Sequence, residues 1–246
     1  MIRIACITRT GEEELALMAN CTDRNGIFLE VLDGDDQPRQ EDIFEYDAVI
    51  ITGKPQGTQR LASSDLVMKR VGEAVRNKVP VLGISGGARL LAEICRNSVD
   101  AGVPGAGSWS PFRLTEEGRK DTLFFGLDDS CFLFREYGDA LVIPPGAVVL
   151  AVDGSGLPVA FRYGNAYALD CIVPWKEHLH PNDHIHDTDA LDFPEGRFCE
   201  DFSGLVRSIL GNFLWLIELY RSSKRRTVTA TEPRWLCRED REPCAE

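Results

Sequence analysis

The sequence predicts a doubly wound α/β protein whose sheet is mostly parallel and carries added antiparallel strands. Three observations lead there. Apolar runs alternate with helically spaced segments through the first hundred residues. One of those runs, YDAVIIT, is apolar almost throughout, as a strand buried on both faces must be. Another, VPVLGI, runs straight into a serine wrapped in glycines and then into a helical pattern.

The elements follow in chain order. Ile2–Thr8 reads as a strand, Glu12–Asn25 as a helix from the spacing of Leu15, Leu17 and Met18, and Ile27–Leu32 as a second strand. A charged loop, DGDDQPRQED, leads to the strand Tyr46–Thr52, which ends in Gly53-Lys54-Pro55. Ser64–Asn77 has helical spacing behind a choice of caps at Ser63, Ser64 or Asp65. The strand Val79–Ile84 and the helix Ala88–Arg96 complete the parallel half. In folds of this kind ligands bind at the carboxyl ends of the strands, where both the Gly53 loop and the glycine-rich turn fall.

Six short β runs follow: Phe112–Leu114, Phe132–Phe134, Ala140–Ile143, Val148–Val152, Pro158–Arg162 and Ala166–Cys171. Gly, Pro and Asp separate them, the pattern of antiparallel additions. Leu205–Tyr220 is then a helix apolar around much of its circumference, so it is either deeply buried or meets a partner. The chain divides into a domain of residues 1–220 and a polar tail of residues 221–246.

Length and charge narrow the function classes. The 246 residues suffice for one domain with a large core. A net charge of −12 repels a polyphosphate, which argues against nucleic acid as a partner. No run of about 18 apolar residues is present, which argues against a membrane span, and a cytoplasmic protein is expected. The eight cysteines include no CxxC pair and most read as reduced thiols, with Cys237 and Cys244 in the tail as the exception, exposed thiols open to oxidation or metal binding.

Gly83-Ile84-Ser85-Gly86-Gly87 matches G-x-S-x-G, a strand-to-helix turn that exposes a nucleophile. The amide after the serine and the helix N-terminus offer an oxyanion site. A glycine-rich turn that merely packs tightly is the alternative.

The stretch VPVLGISGGARLLAE resembles the nucleophile segment of class I glutamine amidotransferases, P-V-x-G-I-C-x-G-x-Q-x-L-A. Thr52-Gly53-Lys54-Pro55 is similar to that family's oxyanion loop. YGDALVIPPGAVVLA resembles its H-G-D-x-V-x-x-L-P-P-G hairpin, and VAFRYGNAYALDCIVP the strand pair leading to its His-Pro-Glu. The resemblance covers residues 1–175 and implies a flavodoxin-like, class I glutamine amidotransferase-like fold. It also implies that the catalytic triad is replaced: the cysteine by Ser85, the histidine by Val173 and the glutamate by Trp175. Arg89 stands where the family has glutamine, and Lys54 where it has a glycine.

Two functions of different class are consistent with this. In one, the chain is a catalytically degenerate relative that serves as a binding or regulatory subunit, with a synthetase or other enzyme, or a second copy of itself, as partner. Backbone donors at Gly53, Lys54 and Gly86, with Lys54, Arg89 or Arg135, would then attract a small anionic ligand. In the other, Ser85 is the nucleophile of a hydrolase or amidase acting on a small amide. Its base would be His180 or His178, oriented by Asp183 or Glu177. All four histidines, His178, His180, His184 and His186, lie in one acidic segment, which reads as a solvated loop or as ligands for a divalent metal.

Overall fold

The computed structural model describes residues 1–8, 26–33, 43–53, 65–96, 104–137, 140–171 and 197–231. Among these, nine strands form one sheet: β1 (Ile2–Thr8), β2 (Ile27–Asp33), β3 (Ala48–Ile51), β4 (Val81–Ile84), β5 (Pro104–Leu114), β6 (Ser130–Tyr137), β7 (Val148–Asp153), β8 (Pro158–Tyr163) and β9 (Ala166–Leu169). Their spatial order is β2-β1-β3-β4-β9-β8-β7-β5-β6. The first five in that order are parallel and the remaining pairings antiparallel. The helices are α1 (Asp65–Arg76), α2 (Gly86–Arg96), α3 (Glu116–Lys120) and α4 (Arg197–Thr231). The helix expected at Glu12–Asn25 lies outside the described residues.

Alternation along the central strands explains the layers. Ile2, Ile4 and Cys6 of β1, with Ala48 and Ile50 of β3, pack in one core with Leu205, Ile209, Phe213 and Ile217 of α4. Ala5, Ile7, Val49 and Ile51 point the other way, toward Val71 of α1 and Leu91 of α2. The sheet is therefore covered on both faces, which is why Ala48–Ile51 is apolar without a break.

The register of β9 sets it apart from the other late strands. It lies beside β4 in parallel, Ile84 opposite Leu169, and turns the sheet antiparallel only through its hairpin with β8. The run at Ala140–Ile143 is not a strand. Pro144 and Pro145 follow it, and the Leu141 N–H reaches the Pro158 carbonyl at a long 3.3 Å.

The last helix runs on past the expected end at Tyr220. Arg221 Nε meets Asp47 Oδ1 at 3.2 Å, Ser223 Oγ donates to the Tyr220 carbonyl at 2.7 Å, and Lys224 Nζ lies 5.4 Å from the centre of the Tyr220 ring. Contacts of this kind, and the good helix propensity of Lys and Arg, extend the helix through a segment too polar to show an apolar stripe. The boundary expected at residue 221 thus falls inside α4, and residues 232–246 lie outside the described residues.

Candidate functional site at the end of β4

Ser85 occupies the turn between β4 and α2 with φ of +56°, a left-handed conformation that costs a side-chain-bearing residue strain. The surrounding glycines are required by close approach. A Cβ at Gly83 would stand 2.5 Å from the Gly87 carbonyl oxygen, and one at Gly87 would overlap the Ile51 carbonyl of β3. The turn is thus pressed against the neighbouring strand, and only glycine fits at either position.

Three backbone bonds hold the turn. The Ser85 N–H donates to the Leu169 carbonyl of β9 at 2.9 Å, and its own carbonyl accepts the Ala88 N–H at 2.9 Å, opening α2. The Gly86 amide, expected to face an oxyanion, donates instead to the Gly53 carbonyl at 3.1 Å. Gly53 thus contributes its carbonyl to this turn as an acceptor. Ser85 itself is 6% exposed.

Among the described residues, an ion pair lies beside this turn. Arg89, one helical turn after Ser85, donates from Nη2 to Asp170 Oδ2 at 3.0 Å. Asp170 follows directly on Leu169, the residue that holds the serine amide, and it too is buried. Asp170 thus supplies a carboxylate to Arg89 from within the protein. Asp170 is the residue that sequence reasoning missed: it sat in a run read as one continuous strand, Ala166–Cys171, whose only visible oddity is an acid among apolar neighbours. The strand in fact stops at Leu169, and Asp170 turns its N–H to the Val159 carbonyl at 2.8 Å.

Buried polar side chains collect at this edge of the sheet. Thr8, Thr52, Ser85 and Asp170 each follow or end one of the adjacent parallel strands β1, β3, β4 and β9. That is the carboxyl-end crevice in which doubly wound folds bind ligands.

The other candidates lie outside the described residues: Lys54, Val173, Trp175, Glu177, and the segment with His178, His180, Asp183, His184 and His186. The backbone of Arg135 is in β6. Among the described residues no three His, Cys, Asp or Glu side chains are grouped to hold a metal ion. Cys6, Cys95 and Cys171 are reduced thiols, and burial pushes that of Cys95 up to about 12. A thiol so shifted is protonated and unreactive near neutral pH. No described helix is long and apolar enough to cross a membrane.

No protein-family model and no curated protein matches the chain. Solved structures do. A glutamine amidotransferase from Thermotoga maritima superposes with a TM-score of 0.65 at 19% identity, covering 86% of this chain and 97% of that one. The fold is that of the glutamine amidotransferases. A glutamine amidotransferase from Methylobacillus flagellatus matches with a TM-score of 0.61 at 15% identity, over 87% of this chain and 94% of its own. A putative GMP synthase subunit from Thermoplasma acidophilum matches with a TM-score of 0.57 at 15% identity, over 90% and 98%. At these identities the likeness is one of fold, and within that amidotransferase fold Ser85 stands at the turn from β4 into α2.

Proposed function

We propose that the chain is a glutamine amidotransferase-fold protein that does not hydrolyse glutamine and acts as a binding or regulatory subunit of a partner enzyme in the cytoplasm. The observation that carries this reading is the Arg89–Asp170 ion pair beside a turn whose Gly86 amide is already bonded to Gly53. Acyl transfer needs a free amide aimed at the developing oxyanion and a base aligned on the nucleophile. A serine makes the need for a base stricter, because its hydroxyl does not ionise near neutral pH as a poised thiol does. The likeness to a putative GMP synthase subunit agrees with a role beside a partner enzyme. The reading calls for no cofactor.

One observation favours a second reading, a serine hydrolase or amidase. Ser85 keeps its strained left-handed backbone, which a merely structural turn would relieve by adopting glycine. The base would come from the segment of His178 to His186.

Reaction with a fluorophosphonate probe, read by intact mass beside Ser85→Ala, separates the two. We expect no labelling and no ammonia release from glutamine. Stoichiometric labelling that disappears in the variant would overturn the regulatory reading in favour of the hydrolase.

A further inference from the structure

One flank of α4 enters the core, and the opposite flank faces outward. Beside it, between α4 and the starts of β1 and β2, lies an open groove of about 630 Å³ lined by Ile2, Gly26, Ile27, Gly211, Trp215 and Glu218. Two large apolar side chains stand out from that flank, Trp215 at 45% exposure and Leu219 at 47%. Phe125, 67% exposed, braces the indole edge-on at 5.9 Å, and Asn212 Nδ2 holds the Phe125 carbonyl at 2.9 Å. An aromatic pair held this firmly in water is characteristic of an interface anchor.

Gly211 lines the groove without a side chain. Glycine inside a helix is destabilising relative to alanine. A Cβ at Gly211 meets nothing within 4 Å, so the packing of this chain does not require the glycine. Something approaching from outside would.

The outer flank is complementary to itself. With two copies of α4 laid antiparallel about a two-fold axis at position 213, residue 211 faces 215, 208 faces 218 and 207 faces 219. Each Trp215 then enters the gap over the other copy's Gly211. Each Glu218 comes beside the other copy's Arg207, whose aliphatic stem lies along Leu219. Moving the axis to between 216 and 217, the next register that keeps this flank on itself toward the C-terminus, sets Trp215 against Glu218 and loses both fits. Of these two registers, size and charge favour the first.

We propose that the chain forms a two-fold homodimer through the outer flank of α4, with Trp215 seated over Gly211 and Glu218 paired with Arg207 across the axis. The interface is isologous, so each complementary contact occurs twice. It is independent of what the cleft at Ser85 does.

Sedimentation equilibrium of the full chain over a concentration series tests this. The wild type dimerises with increasing concentration. Trp215→Ala and Gly211→Leu each weaken the dimer by roughly 30-fold or more, as loss of a central anchor does. Circular dichroism checks that both variants remain folded. Arg207→Glu and Glu218→Arg each weaken it about tenfold when alone, since each places like charges together. Mixed with one another they associate again, because every contact in the mixed dimer is then between opposite charges. A monomer at all concentrations, a dimer indifferent to these substitutions, or a single-charge mixture that stays apart would each overturn the proposal. So would a different protein occupying this flank while the chain itself stays monomeric.

Discussion

Arg89 and Asp170 form a buried ion pair that ties the helix after the Ser85 turn to the end of β9, Nη2 to Oδ2 at 3.0 Å with side-chain exposures of 11% and 2%. Removing either partner takes from the other the ion pair that offsets its burial. Asp170→Ala and Arg89→Ala should each cost about 3–5 kcal/mol of stability. The double variant Arg89→Met/Asp170→Leu should recover most of that, as read from urea midpoints.

Gly87 has no room for a methyl group against Ile51, and Gly83 none against Gly87. Gly87→Ala should therefore fail to fold or lose roughly 4 kcal/mol or more. Gly204→Ala is the control, since its Cβ meets nothing, and it should gain about 0.5–1 kcal/mol. Thermal melts of the two variants should move in opposite directions.

Lys78 ends α1 at φ of +60°, with the Val79 N–H donating to the Ala74 carbonyl and the Lys78 N–H to the Val75 carbonyl. These are the two bonds of a Schellman cap, whose left-handed position favours glycine. Lys78→Gly should stabilise the protein by about 1 kcal/mol. An increase in the chemical denaturation midpoint at unchanged slope checks it.

Burial pushes the Tyr167 hydroxyl up to about 12, with Asp121 acting in the same direction, and burial alone raises the Cys95 thiol to about 12. Both groups hold their protons more tightly when folded than when unfolded. Their contribution to stability is thus complete below about pH 9 and is lost as the pH rises toward 12. Absorbance near 295 nm should show one tyrosine ionising about two units late, with unfolding favoured across the same window.

The parallel half of the fold was legible because burial on both faces leaves a plain signal. The limits of β1 agree with the apolar run to the residue, and β4 and α2 lie within two residues of expectation. The late strands were found with less accuracy. β5 begins at Pro104 and not at Phe112, since its first residues are glycine-rich and pattern-poor. The place of β9 in the parallel sheet could not be read from its own residues, because pairing depends on partners distant in sequence. At the site, the turn was visible from its glycines. The Asp170 partner of Arg89 was not, because nothing local marks which buried acid will meet which base.

The same pairing bears on how the chain assembles. Arg89 and Asp170 are 81 positions apart, and β4 has no neighbour on that side until β9 arrives. On a ribosome the first four strands emerge with one edge of β4 unsatisfied, and it stays open while β5 to β8 are still being made. Closing it is a late, long-range step, and contacts of such separation form slowly. The turn that presents Ser85 is then completed last of the parallel half, by the strand that also brings its buried acid.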